Sequence, residues 1–478
     1  MNRLLLAALL VAAAPCHLDA QFSVAEYQQR RDALVARMPD AAIMVFGARA
    51  PEHDYLEFFQ NPEMLYLSGI REPEAALLMV KEGGRTTATV FVLPRDPAVE
   101  LWSGARIGLD GATRISGVAA RVRGELHTVL DSLASSGRLP LHVGGGVTGP
   151  RRAPGQALTP EDQYLAALSA RYPPLRVVPT VNAAVTRLRG TKSAAELALI
   201  RRAAEITVAS HLEAMRAMRP RMHEYEIEAT IEYGFRRRGA ERPSFASIVG
   251  SGPNATVLHY NANDRQIEAG DMVVMDVGAS VQGYAADVTR TIPAAGAFTP
   301  AQRDIYQIVR DAQAAAERNA LPGMRAQAMS DSATAVIAAG LARLGLIESP
   351  AATYDVVGQG GAISQAPQIR LYFMHGLGHG IGLEVHDPDQ YYLTGTIAAG
   401  SAFTIEPGIY VRGNLPDVLA DTPRNRALIA RLRPVLERYR NIGVRIEDDY
   451  IVTENGLEWI SRAPREIAEI EAAMRPVP

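Results

Sequence analysis

The residues most able to do chemistry begin with two aspartates, Asp276 and Asp287, in the stretch MVVMDVGASVQGYAADVTRT (272–291). Both sit among apolar, β-prone neighbours: Met272, Val273, Val274, Met275 and Val277 around the first, Val288 after the second. Gly278, Gly283 and the small residues between them let the chain fold back as a hairpin. On adjacent antiparallel strands the two carboxylates can face each other across the ladder. Carboxylates buried together repel, and each is costly to desolvate unless a cation lies between them. The stretch contains no Lys, and strand alternation puts Arg290 on the face opposite Thr289. A bound metal is the simplest explanation. Taken alone, a capped turn beside an exposed strand face explains the pair equally well.

The other candidate ligands lie downstream. HGLGHGIGLEVHD (375–387) holds His375, His379 and His386 in an apolar run. The His375/His379 spacing fits a helical zinc pair, but four glycines within eight residues argue against a helix. No HExxH pattern occurs in the chain. FTIEPGIY puts Glu406 at the end of a short apolar strand, stopped by Pro407 and Gly408. VRIEDDYIVTENG puts Glu447 inside another strand-like run. Each acid alone reads as a solvated strand end. Four motifs of acid or histidine in apolar strands are harder to explain without a common site.

The order Asp, Asp, His, Glu, Glu in these surroundings resembles the pita-bread metallopeptidases, the family of aminopeptidase P, prolidase and methionine aminopeptidase. The likeness spans roughly residues 185–465. It implies a dinuclear centre with ligands Asp276, Asp287, His379, Glu406 and Glu447. Four carboxylates and one imidazole form a mostly hard donor set, suited to two Mn²⁺ ions and tolerant of Co²⁺ or Zn²⁺. Bridging carboxylates hold such ions about 3.5–4 Å apart, and a hydroxide shared between them is a nucleophile near neutral pH.

The resemblance also implies roles for the neighbouring residues. His259, in VLHY, contacts substrate or the tetrahedral intermediate; a core histidine bonded to backbone is the alternative. His386 donates to the scissile carbonyl or its oxyanion. His375 lines a proline pocket. Glu406, besides its place as ligand, takes a proton from the attacking water and passes it to the leaving nitrogen. Tyr410 and Arg445 resemble a pair that orients Glu406 or the site water, although an exposed strand charge accounts for Arg445 as well. Thr289 shares a strand face with Asp287, so its hydroxyl can bond that carboxylate.

These residues need strands and helices to position them, and the 478-residue chain has enough material. It is 47% hydrophobic and 21% charged, ample for two globular domains. A net charge of −3 gives no basic field for nucleic acid. MNRLLLAALLVAAAPCHLDA (1–20) reads as a secretory signal peptide cleaved after Ala20, which implies an exported, periplasmic or extracellular protein. Its apolar run is too short for a stable membrane span. The single cysteine, Cys16, falls inside this segment, so the mature chain has no disulfide. A lipoprotein anchor at Cys16 is the lesser reading, because Pro15 precedes it.

The mature chain opens with a helical pattern (24–38) and a strand, AAIMVFGA. Alternating strand and helix signals then continue to about Pro179, giving an α/β domain over 21–180. FQNPEMLYLSG and EPEAALLM are similar to the N-terminal domain of aminopeptidase P. VELWSGARIG resembles a family segment whose tryptophan reaches a neighbouring subunit's active site, which implies a dimer or tetramer; a packed surface aromatic explains Trp102 equally well. Residues 145–158 form a Gly/Pro-rich loop, and Arg176 to Val178 is the last strand before the second domain. That domain opens at Lys192 with a long amphipathic helix capped by Ser193, with Glu196 three residues on. A helix over 224–238, a strand through FASIVGSGPNATVLHY, and helices over 300–319 and 329–344 follow. The fold class is α/β (α+β), with a pita-bread (creatinase/aminopeptidase-like) catalytic domain over 185–465.

Two features depart from the family pattern: an added helical stretch near ALIARLRPVLERYR, and PDQYY where many relatives have a Gly-rich turn. The implied function is a metallo-aminopeptidase that removes the N-terminal residue from peptides with proline in second position. Prolidase, which cleaves the Xaa-Pro dipeptide, is the alternative. A metal-free peptide-binding module, or a creatinase-like metal-free hydrolase, is disfavoured because all five ligand positions are filled.

Overall fold

The computed structural model describes residues 22–53, 55–147 and 158–475. The chain divides after Val185 into two compact units. The expected signal segment (1–20) and most of the 145–158 loop lie outside the described residues.

The first unit is built on a six-stranded mixed sheet ordered β4-β3-β2-β1-β5-β6. Its strands are β1 (Ala41–Phe46), β2 (Ala76–Glu82), β3 (Arg85–Val92), β4 (Ala119–Val122), β5 (Leu141–Gly145) and β6 (Val177–Val178). β2 runs antiparallel to both β1 and β3, whereas β5 pairs parallel with β1, and β4 with β3. β1 reads AAIMVF without alternation because both of its faces are covered; all six residues are buried. One face packs Ala42, Met44 and Phe46 against Leu126, Leu130, Leu165 and Leu168 of two flanking helices.

The second unit carries every candidate ligand. Its first helix, Ala194–Ala217, starts at the expected capping box: Ser193 Oγ accepts from Glu196 N at 3.2 Å, and Glu196 returns a bond to Ser193 N at 2.8 Å. It packs against the helix Glu224–Arg237, and the helices Pro300–Glu317 and Ala326–Leu344 form a second pair. The strands between are β7 (Arg242–Pro243), β8 (Ile248–Ser251), β9 (Met272–Val277), β10 (Ala279–Val281), β11 (Tyr284–Ala285) and β12 (Val288–Pro293). FASIVGSGPNATVLHY is a strand only over Ile248–Ser251. Gly252 at φ +54° and Pro253, which lacks an N–H, turn the chain into a 3-10 segment over Gly252–Thr256.

β9 lies between β8 and β12, and the β10–β11 hairpin turns at Gln282 and Gly283 with φ of +50° and +86°. Positive φ at both central residues is a type I′ requirement, which the glycine meets without strain. Farther on come β13 (Thr353–Val357) and β14 (Ile363–Pro367), then β15 (Ala402–Ile405), β16 (Gly408–Val411), β17 (Ile442–Arg445), β18 (Asp448–Thr453) and β19 (Gly456–Trp459). The added helical stretch is the helix Pro423–Tyr439, which includes Pro434. Among the described residues no helix is long and apolar enough to cross a membrane.

Candidate metal centre

The expected ladder puts the two aspartates near each other, with one difference. The β9–β12 register sets Asp276 opposite Thr289, not opposite Asp287, which immediately precedes β12. The carboxylates therefore meet diagonally across the pair. Both side chains are buried, Asp276 at 7% exposure and Asp287 at 5%.

The two glutamates occupy a break between small sheets. β15 pairs with β18 up to Ile405↔Asp448, and β16 pairs with β17 from Gly408↔Arg445. Glu406-Pro407 thus faces Ile446-Glu447 where neither ladder runs, and both glutamates are free to turn inward. Their backbones are tied elsewhere. Glu406 N donates to Leu377 O at 2.8 Å, and Glu447 N donates to Thr289 O at 3.1 Å. Glu447 lies in this junction rather than inside a strand.

The histidine run is irregular, as its glycines imply, but those glycines also allow close approach. A Cβ on Gly378 would collide with Thr404 O, and one on Gly380 with Asp387 O. One on Gly382 would lie 2.5 Å from the Asp387 carboxylate. The run is thereby laid along β15: His379 N donates to Thr404 Oγ1 at 3.1 Å, and Thr404 N to His379 O at 2.8 Å. Asp387, next to His386, is buried against Arg189 and against Lys192 Nζ at 3.0 Å, which fixes the far end of the run.

Asp276, Asp287, His379, Glu406 and Glu447 all line one cleft of about 590 Å³, together with His259, His375 and His386. His379 Nδ1 faces Gly380 O at 3.1 Å and so carries the proton. Its Nε2 lone pair then points at Asp287 Oδ2 (3.4 Å), Glu406 Oε1 (3.6 Å) and Glu447 Oε1 (3.9 Å). Ligand atoms of Asp287, His379 and Glu447 lie within 4.8 Å of one another. Among the described residues Asp276 Oδ1, Asp287 Oδ1 and Glu447 Oε1 are buried with no hydrogen-bond donor. Orphaned carboxylate oxygens in a cleft that also holds an imidazole lone pair are what a divalent cation satisfies. The donor set fits a divalent metal ion.

Electrostatics agree. Burial, then the charge of Glu447, pushes Asp287 well above the usual carboxylate range, and the same two causes raise Glu406. Burial and Asp276 push Glu447 up to about 8. Burial lowers His379 and His375 to about 4, so both are neutral at pH 7. Among the described residues the cation that bonds one of these carboxylates is Arg445, 4% exposed, which pairs with Asp276. Four carboxylates against one guanidinium leave three uncompensated negative charges if all are ionised, a deficit that divalent ions offset.

Some expectations change in detail. Thr289 Oγ1 donates to Glu447 Oε2 at 2.6 Å rather than to Asp287, because the sheet junction brings Glu447 over that strand face. Arg445 is no exposed strand charge: its guanidinium also reaches Tyr410 Oη at 2.9 Å and Thr289 Oγ1 at 3.2 Å. It therefore bears on Asp276, not directly on Glu406. Tyr410 Oη in turn is 2.8 Å from His375 Nε2. Arg290 does turn away from Thr289's face, where it binds Asp448 and the carbonyl of Glu447. His386 stacks on His379 at 4.0 Å between ring centroids. Phe245, Asn261 and Tyr392 also line the cleft without having been anticipated. They sit outside the ligand motifs; only Tyr392, in the PDQYY departure, had a signal.

Residues 198–454 match metallopeptidase family M24, and residues 27–140 match the aminopeptidase P N-terminal domain. The chain is 34% identical to the Xaa-Pro aminopeptidase of Escherichia coli over 468 residues, covering 95% of this chain and 99% of that one. The Xaa-Pro aminopeptidase of Haemophilus influenzae is also 34% identical, over 94% of this chain and 97% of its own. Among solved structures, a putative aminopeptidase P from Bacillus anthracis superposes with a TM-score of 0.80 at 28% identity. Zn-substituted E. coli aminopeptidase P in complex with product does so with 0.78 at 32%. Each structure covers 95% of this chain and is itself 98% covered.

Proposed function

The chain belongs to metallopeptidase family M24, a metallo-aminopeptidase with an aminopeptidase P N-terminal domain, and we propose that it removes the N-terminal residue from peptides with proline in second position. One observation carries the reading: Asp287, Glu406 and Glu447 converge on Nε2 of His379 at 3.4–3.9 Å, in a cleft where buried oxygens of Asp276, Asp287 and Glu447 have no hydrogen-bond donor. Asp276, Asp287, His379, Glu406 and Glu447 would hold two divalent ions, with Mn²⁺ the best match to a carboxylate-rich set and Co²⁺ or Zn²⁺ tolerated. When bound, the ions acidify water and polarise the scissile carbonyl.

The chain's own residues then do the following. Glu406 accepts the proton of the attacking water and hands it to the leaving nitrogen. His386 and His259, both exposed and both lining the cleft, donate to the oxygen on which negative charge develops. His375 stands edge-on to Phe373 at 5.0 Å, which supports a wall for the proline ring. Proline's tertiary amide resists most general aminopeptidases, so a site shaped for it defines a substrate class.

The test gives the Mn²⁺-loaded protein an Xaa-Pro-Xaa tripeptide and the matching Xaa-Pro dipeptide. We expect the tripeptide to be cleaved, with chelation abolishing the activity. Cleavage of the dipeptide alone would make the protein a prolidase, a reading less supported by the similarity to Xaa-Pro aminopeptidases over nearly their whole length.

Two further proposals concern the chain's surroundings. Export rests on the leader-like residues 1–20, and N-terminal sequencing of the mature protein checks cleavage after Ala20. Self-association into a dimer or tetramer is supported by Trp102, 78% exposed beside Leu101 at 81% in the first unit. Sedimentation of the wild type against Trp102→Ala measures it.

A further inference from the structure

Residues 257–264 carry His259 and Asn261 into the metal cleft, yet they form no helix and no strand. Such a segment has no ladder of backbone bonds to stiffen it, so side chains must fix its position. One side chain does so from beneath. Glu224, the first residue of the helix Glu224–Arg237, is fully buried.

Its carboxylate takes donors from the whole length of the loop. At the entrance, Ser251 donates to Oε1 from its backbone N at 2.6 Å and from its hydroxyl at 2.7 Å. Asn254 Nδ2 approaches the same oxygen at 3.2 Å. In the middle, the hydroxyl of Tyr260, next in sequence to His259, bridges Glu224 Oε2 and Asp264 Oδ1, 2.9 Å from each. At the exit, Arg265 N donates to Oε2, also at 2.9 Å. The Arg265 guanidinium closes the ring by bonding Ser251 Oγ at 2.7 Å.

A buried carboxylate is an expensive way to hold a helix end. Here every donor comes from residues 251–265, and these bonds bring the loop's two ends together around one group. Other contacts bind the loop to the metal-facing strands. Asn263, also fully buried, accepts from Val249 N at 2.9 Å and donates to Ser247 O at 2.8 Å. Arg445, which bonds Asp276, reaches Leu258 O at 3.3 Å.

We infer that Glu224 is a positioning residue for the reaction: it sets His259 at the substrate side of the cleft before substrate arrives. The inference rests on the reading of His259 as a substrate contact. Glu224 touches neither substrate nor metal and acts through the loop. Glutamine at 224 keeps the volume but offers an amide N–H₂ where one carboxylate oxygen received donors.

The test is a double-mutant cycle on the Mn²⁺-loaded full chain with an Xaa-Pro-Xaa tripeptide, with metal content and melting temperature checked for each variant. Glu224→Gln is expected to lower kcat about ten- to hundredfold, as a displaced catalytic contact does. In a His259→Ala background the same substitution is expected to cost less than about twofold, since coupled residues are not additive. An equal loss in both backgrounds would mean general destabilisation and would overturn the inference. Tyr260→Phe deletes only the hydroxyl beside His259, and it decides the matter should Glu224→Gln not fold. It should give a smaller loss of kcat that also disappears in the His259→Ala background; a loss that persists there, or none at all, counts against the clamp. Wild-type kinetics for His259→Ala alone would remove the underlying reading of His259, an outcome distinct from a slow His259→Ala with an additive cycle.

Discussion

Glu406 and Thr289 separate the chemistry of the cleft from its support. Glu406 Oε1 lies 3.6 Å from His379 Nε2, and in the proposed reaction it both holds metal and moves a proton, so Glu406→Gln should lower kcat by at least about a hundredfold while the fold persists. Steady-state kinetics with a circular dichroism melt will check both. Asp287→Ala should abolish turnover in the same assay, because Asp287 faces His379 Nε2 at 3.4 Å within the candidate ligand cluster. Thr289 is different. Its hydroxyl donates to Glu447 Oε2 and receives Arg445 Nε, so it orients a ligand without being one. Thr289→Val should weaken metal binding about ten- to hundredfold, read by chelator competition, and full activity should return at saturating metal. Residue type and apolar context marked out the acids and histidines, but choosing five of them as candidate ligands took the resemblance to the pita-bread family. Thr289's true partner could not be named at all, because strand period specifies a face and says nothing of which strand crosses over it. Arg445 was ambiguous for the same reason: VRIED looks alike whether the arginine faces solvent or Asp276.

At the scale of elements, the site depends on an interrupted ladder. β15 and β16 each pair with a different partner strand, and the two-residue break between them lets Glu406 turn into the cleft opposite Glu447. Pro407 and Gly408 signalled the end of the first strand but not that a second began at once. The hairpin carrying the aspartates was legible, since its glycine meets a positive-φ requirement at Gly283. The glycines of the histidine run were legible only as a veto on helix. Their positive role is steric, for Gly378 presses on the carbonyl of Thr404, the residue that hydrogen-bonds His379. Gly378→Ala should therefore cost about 1–3 kcal/mol of stability, as overpacking does. It should also lower metal occupancy, because the collision displaces the strap that holds His379. Thermal melts with and without Mn²⁺ measure the two effects. A variant with native stability and native occupancy would show that the strap has room the structure denies it.

For the whole molecule, the catalytic unit buries carboxylates whose repulsion either protons or metal ions can relieve, and pH should reveal it. In the metal-free protein, burial and then Asp276 hold Glu447 at about 8, against an ordinary value of 4.5. The folded state keeps a proton that the unfolded chain gives up. The stability this contributes is fully present below pH 4.5 and is lost as pH rises through about 8. Asp287 and Glu406, also raised, act in the same direction. His375 and His379 act in the opposite one. Burial lowers them to about 4 from 6.5, so their contribution is present above pH 6.5 and lost as pH falls through 4. Between pH 6.5 and 8 the histidines are neutral in both states, and the carboxylates alone set the slope. The chelated protein should thus melt at progressively lower temperature from pH 6.5 to 8. With saturating Mn²⁺ the trend should flatten or reverse, because the ligands bind metal deprotonated and affinity rises as their protons leave. Proton release on metal binding, read by calorimetry in buffers of different ionisation enthalpy, should be larger at pH 6.5 than at pH 8. A chelated melting temperature that stays level or climbs across that window would mean the carboxylates are already ionised and stabilised without metal.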